Sequence, residues 1–466
     1  MTRKVSLLLL FLAGAAAPAL GGPFSWTPAT NGTFSDGSHW SPLGPPGSAD
    51  DAIFNLTSGV NTISFTASAD TASLTVGGAN IKLALGTNTY DAGAVTVGAA
   101  SKTSKVSITN GTVKADSTFI TSSKANTTAV TVDGSSGSAL FSTGDLTFQG
   151  VQPALNVTNG GQVVTSGTAK TVAGVISIDG TGSKWTVDTI IPGSGLNGSL
   201  DITNSGKVVT NSITTAFNHI VSIETSGVLQ FTGSADFGYH LNLDSGGQLI
   251  GQDSLLNLVD AVARRNVTND GTITLGALEI TGSGSLRNSG GVINGDVNLV
   301  SGGRINGPGT INGHVDVAST TSFSPQDVSV QPTYSMESMT WHGGSTIFHF
   351  MQEPSVGLLS GVMSLDATSA NPITINVFPQ LWNYNTDPHD FTLITADGGI
   401  TGYDPAAFTF LLNSGPNGSP YRYSVEHVGN SLVLHVAIPE PSSLVMGLLA
   451  ALSLGAVVVK RRARVA

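Results

Sequence analysis

Hydrophobic and polar positions alternate in short runs along most of this chain, and small polar turns separate the runs. In "ALNVTNGGQVV", Leu155 and Val157 alternate with polar residues before Asn159 and Gly160, residue types that accept positive φ and so supply a tight turn. A period of two predicts half-buried β-strands, and hardly any helical stretch lies between them. The unit recurs in "VSITNGTVKA" with Gly111, "LDITNSGKVV" with Gly206, "VSIETSGVLQF" with Gly227, "LNLDSGGQLI" with Gly246, "NVTNDGTITL" with Gly271 and "GSLRNSGGVI" with Gly290. From Gly206 onward these glycines are 21, 19, 25 and 19 residues apart, and the gaps of 49 and 46 around Gly160 are close to twice that period.

A unit of about 20 residues is too short to fold alone and long enough for one coil of a solenoid, which buries its apolar faces against the next coil. Within "GGVINGDVNLVSGGRINGPGTINGHVDV" the tripeptide Ile-Asn-Gly starts at Ile293, Ile305 and Ile311. Asn-Gly turns also join antiparallel hairpins, so a multi-hairpin sandwich is the competing architecture. The near-constant coil length and the similar offsets of Ile, Val and Leu from successive glycines favour an all-β fold, a right-handed parallel β-helix over residues 51–317. The spacing is uneven between Ser101 and Leu155. From about Thr321 the repeat fades, and "MTWHGGSTIFHFM", "PITINVFPQLW" and "NSLVLHVAIPEP" predict a β-rich C-terminal module over residues 321–437.

Residues 20–50 carry Trp26 and Trp40 just before the first coil. Two tryptophans there can cover the strand edges that the end of a solenoid would expose, or stack on a sugar ring; covering is the favoured role.

Composition removes several functions. The chain has no Cys, which excludes thiol catalysis, Cys-zinc sites and disulfide staples. Its net charge of -11 is the wrong sign for a nucleic-acid binder. Residues 1–19 have the three-part layout of a secretory signal: Arg3 and Lys4, an apolar core from Val5 to about Ala16, and small Ala17 and Ala19 before the cut.

The last residues, "VAIPEPSSLVMGLLAALSLGAVVVKRRARVA", place Pro439, Glu440 and Pro441 before an apolar run from Leu444 to Val459 and a basic end of Lys460, Arg461, Arg462 and Arg464. This tail, residues 438–466, resembles the PEP-CTERM sorting signal of Gram-negative bacteria. The resemblance implies a single C-terminal transmembrane helix, transient inner-membrane anchoring, and processing by an exosortase-type membrane sorting enzyme. It also implies a destination at the cell surface or in an extracellular polysaccharide matrix. Ser442 to Val459 is 18 uncharged residues, about the minimum for a span, so a plain membrane anchor is the simpler alternative. The body is similar to autotransporter-like repeat proteins that carry such tails, on "TGSKWTV" with Gly182, Ser183 and Trp185, on "VTNGGQV", and on the Trp26 and Trp40 opening.

No pattern of concentrated chemistry stands out. The nine histidines, His39, His219, His240, His314, His342, His349, His389, His427 and His435, form no His-Glu-x-x-His motif, and the repeats hold no Gly-x-Ser-x-Gly elbow. Asp50 and Asp51 lack the further oxygen donors of an EF-hand loop. A polysaccharide lyase or hydrolase on the solenoid would need Asp244, Asp260, Asp296 and Asp316 to align across coils, with Arg264, Arg265, Arg287 and Arg304 as the nearby arginines. Acidic residues that recur beside turn glycines point instead to a structural or adhesive protein with no catalytic centre, no metal site and no cofactor. A β-helix enzyme or a non-catalytic carbohydrate-binding protein is the alternative.

Overall fold

The computed structural model describes residues 21–437, except residues 28, 57–58, 99–101, 126, 172, 193–197, 216–218, 238–239, 260–265, 283, 325–333, 351–356, 379–388 and 413–421. The secretory segment, Leu444 to Val459, and the sorting residues Pro439, Glu440, Pro441, Lys460, Arg461, Arg462 and Arg464 lie outside the described residues. So do Asp260, Arg264 and Arg265. Among the described residues no helix is long and apolar enough to cross a membrane.

The chain forms two compact units, residues 1–167 and 168–466. Each is built from parallel coils, and together they count about 11 turns of β-solenoid. The ladder is the one the glycine spacing predicts: Lys207 pairs with Val228, and Val228 with Gln248, steps of 21 and 20 residues. Thr272 then pairs with Val292, and Val292 with Thr310, steps of 20 and 18. Along Thr272–Thr281, Ile273, Leu275, Leu278 and Ile280 are buried while the residues between them face outward. Each such Ile or Leu contributes about 1.5–3 kcal/mol by leaving water. A single coil could not enclose these side chains, so their stabilisation exists only in the stack.

The turn glycines act through packing as much as through conformation. In Thr203–Gly206 and Glu224–Gly227 the fourth residue donates its N–H back to the first carbonyl, at 2.8 and 2.9 Å. The left-handed positions are filled by Asn204 and Ser205, at φ 50° and 68°, and by Thr225 and Ser226, at 45° and 65°. Gly206 and Gly227 are needed for a different reason. A Cβ there would stand 2.1 Å from Ile178 O or 2.2 Å from Ile202 O, the carbonyls of the neighbouring coil.

In the first unit, Pro23–Trp26 already pairs in parallel with Asp51–Phe54, and Trp26 faces Trp40 across an antiparallel bridge. In the second, parallel pairing runs on past Val317: Asp316 pairs with Thr340, and Ile373 with Phe408. The coils lengthen there, with Tyr334 paired to Gly357 and Gly357 to Ile394, steps of 23 and 37 residues. Arg422–Val428 and Ser431–Ala437 finish the described chain as an antiparallel hairpin, and Ser431–Ala437 also pairs antiparallel with His389–Ala396.

Candidate functional site

Trp26 and Trp40 are each 1% exposed. Trp26 stacks on His39 with centroids 4.6 Å apart and meets Trp40 edge-on at 5.0 Å; Phe34, Phe54, Phe65 and Tyr90 continue the cluster. Both indoles are also satisfied, Trp40 Nε1 donating to Phe34 O at 2.8 Å and Trp26 Nε1 to Thr30 O at 3.3 Å. Burial leaves neither ring a face for a sugar.

The aspartates do not fall into one aligned row. Asp244 opens a turn, accepting the N–H of Gly247 through its carbonyl. Asp296 accepts the backbone N–H of His314 at 2.8 Å, while the register places Asn298 opposite Asp316. Arg287 and Arg304 belong to a different ladder, Ser285–Asn288 and Arg304–Asn306.

A different grouping appears on the outward face of three successive strands, Gly309–Val317, Tyr334–His342 and Met363–Asp366. Parallel register puts His314 beside Ser338, Asp316 beside Thr340, Thr340 beside Ser364, and His342 beside Asp366. His314 Nδ1 lies 2.8 Å from Ser338 Oγ. His342 lies between two carboxylates, with Nε2 3.0 Å from Asp316 Oδ1 and Nδ1 3.0 Å from Asp366 Oδ2. Asp316 Oδ1 is closed off from solvent, whereas Asp366 is largely exposed. Asp366 Oδ2 is hydrogen-bonded to the ring, whereas Asp316 Oδ1 is within ion-pair distance of it but has no hydrogen-bond partner among the described residues.

Beside this triplet is an open cleft of about 370 Å³ lined by Ala318, Ser319, His342, Gly343, Asp366, Thr368 and Asn371. Three backbone features build it. Thr320 turns the first coil at φ 66°, Gly344 turns the second at 79°, and Thr368 and Asn371 close a small loop by exchanging backbone hydrogen bonds of 3.2 and 3.0 Å. Below the surface Trp341 is fully buried and its Nε1 donates to Ser345 Oγ at 2.6 Å, which fixes the strand that carries His342.

A second histidine between acids, His435, touches Asp390 and, at 3.3 Å, Glu426 on the flat antiparallel sheet. His219 is buried, with Nε2 2.7 Å from Thr171 O. Among the described residues no set of three or more His, Asp or Glu converges on a point where a metal ion would sit.

Sequence reasoning had Asp316 and His342 in hand but as members of unrelated lists. The missing partner was Asp366, whose 24-residue step from His342 follows the coil period. No protein-family model matches this chain, and no curated protein matches it.

Proposed function

We propose that this is an exported cell-surface or extracellular-matrix protein whose work is structural and adhesive. In this reading the solenoid is right-handed, residues 321–437 form a C-terminal β module, and the apolar tail forms a single membrane helix. An exosortase-type enzyme of the inner membrane is the partner that releases the chain to the surface or to an extracellular polysaccharide. The observation that carries it is the outward surface of the ladder, where polar side chains of successive coils bond to one another in rows. Asn312 Nδ2 donates to Asn294 Oδ1 at 2.8 Å, and Asn294 Nδ2 to Thr274 Oγ1 at 3.2 Å, along one row of three coils. Such a surface is rigid, hydrated and dense in donors and acceptors, which suits contact with a hydroxylated polymer.

The Asp316, His342 and Asp366 cluster favours a second reading, a polysaccharide-active enzyme. Glycoside hydrolysis canonically uses two carboxylates with the sugar bond between them. Here the imidazole of His342 fills that space, so the arrangement suits binding better than cleavage.

The test uses the full chain in a host with the sorting system. Intact mass of surface-extracted protein is expected to lack the apolar tail, and replacement of Pro439, Glu440 and Pro441 by alanine should leave the tail attached. Native protein should also fractionate with the extracellular polysaccharide when washed at low ionic strength. Equal tail retention in both forms would make the segment a plain anchor, and recovery only in the free medium would overturn the adhesive role.

A further inference from the structure

We propose that the cleft beside His342 is a binding site for a protonated amino sugar, such as the free-amine residues of a partly deacetylated hexosamine polymer. The proposal rests on the adhesive reading above and names its ligand class. Its first support is the mixed lining. Ser319 and Thr368 bring hydroxyls, Asn371 an amide and Asp366 a carboxylate to one cleft of about 370 Å³, room for one or two sugar rings. Neighbouring sugar hydroxyls need donors and acceptors side by side, and this set supplies both.

The second support is charge. From residue 305 to residue 421 the sequence has nine Asp and Glu and no Lys or Arg. The outward row through Asp316 also includes Glu279 two coils earlier, through Asn298. A uronate would meet the carboxylates of Asp316 and Asp366 with no lysine or arginine in the cleft lining among the described residues, and a protonated amine would be attracted. The third support is how the carboxylates are held. His342 engages one oxygen of Asp366, which leaves the other oxygen free to accept from an ammonium group in an exposed position. Asp316 Oδ1, closed off from solvent, stands 3.0 Å from the other ring nitrogen, so His342 lies between the two carboxylates as a positioning residue. The absence of an aromatic platform in the lining makes polar and charged contacts the main source of selectivity.

Isothermal titration of the full chain with a glucosamine hexamer, its fully N-acetylated counterpart and hexagalacturonate decides the matter. The free-amine hexamer should bind about tenfold more tightly than the acetylated one and lose affinity with added salt, and hexagalacturonate should not bind. Asp366→Asn and Asn371→Ala should each weaken the free-amine hexamer about tenfold, while Asp188→Asn, an exposed acid several coils away on the same ladder, should not. Thermal melting of each variant checks that the fold is intact. Equal binding of the acetylated hexamer, binding of hexagalacturonate, or equal loss in Asp188→Asn would overturn the proposal. If Asp366→Asn abolishes hexamer binding and the chain still stays with the matrix, the cleft is a sugar site and adhesion uses other surfaces. If the variant binds as well as wild type and the chain stays with the matrix, the cleft proposal falls and the adhesive role stands.

Discussion

The side-chain amide of Asn269 donates to Asn288 Oδ1 across 2.9 Å, from one coil to the next, with both residues fully buried. Asn269 Oδ1 accepts from Gly271 N at 3.2 Å, and Asn288 Nδ2 donates to Gly291 O at 3.0 Å. The pair thus closes two turns from the inside, and Asn288 is also the polar neighbour of the buried Tyr334 hydroxyl. Asn288→Ala is expected to cost about 2–3 kcal/mol, because the Asn269 amide and the Gly291 carbonyl would remain buried without a partner. A lower urea midpoint with an unchanged denaturant slope checks this.

Steric and conformational roles of the turn residues separate by mutation. Gly227→Ala forces a methyl group against Ile202 O and should destabilise by about 1–3 kcal/mol. Ser226→Gly, one residue earlier, relieves a left-handed serine and should be neutral or stabilising by up to about 1 kcal/mol. Melting temperatures of the two variants should move in opposite directions or differ clearly; equal losses would argue against the coil-on-coil contact.

The aromatic cluster at the start of the first unit predicts a large truncation effect. Trp40→Ala removes a buried ring and its bond to Phe34 O, with an expected loss of about 3–5 kcal/mol. Amide exchange should quicken first in Pro23–Trp26 and Asp51–Phe54, the strands that pack around it.

Acid should weaken the first unit. Hydrogen bonds from the Ser38 hydroxyl and N–H hold the Asp36 carboxyl below its usual range, and the N–H groups of Gly47 and Gly22 do the same for Asp50. Burial pushes Asp133 up, but bonds from Asn159 and Ser135 outweigh it and leave it lowered. A lowered folded value means that the stabilisation is present above the ordinary carboxylate range, about pH 4, and is lost as pH falls through the folded values. Asp201 runs the other way: burial raises it despite the Ser199 bond, so its ionisation costs stability as pH rises through its folded value. Tryptophan-monitored melting from pH 2 to pH 6 should show a downward slope at the acid end that flattens in Asp50→Asn.

The coil period was legible because glycine recurs in successive turns, as at Gly206, Gly227, Gly247 and Gly271, and the strands because inward and outward residues alternate along pieces such as Thr128–Asp133. The reason for the glycine was legible in part: positive φ, the expected cause, holds at Asn159 and Gly160, at 53° and 83°, whereas Gly206 and Gly227 are pressed by carbonyls of residues 28 and 25 positions earlier. The long coils after Tyr334 were hidden for a related reason. When a step grows to 37 residues, as from Gly357 to Ile394, the local turn signals no longer report which strands are neighbours. The His342 cluster shares that difficulty, since its members are 26 and 24 residues apart and no short motif joins them.

Variable steps between fixed partners constrain how such a chain can change its length. Val292 pairs with Thr310 after 18 residues and Gly357 with Ile394 after 37, so extra residues are accommodated where the chain leaves the ladder between strands. A duplicated coil, or a loop inserted at a turn, would preserve every neighbour relation on either side. One residue inserted within a strand is absorbed only where it forms a bulge, as between Thr274 and Ala277 opposite Asn294 and Asp296; elsewhere it would turn the following side chains inside out, sending Ile and Leu to solvent and Asn and Thr to the interior. Insertions and deletions are therefore sorted by position rather than by size, and the molecule can grow by whole rungs while its frame within each rung stays fixed.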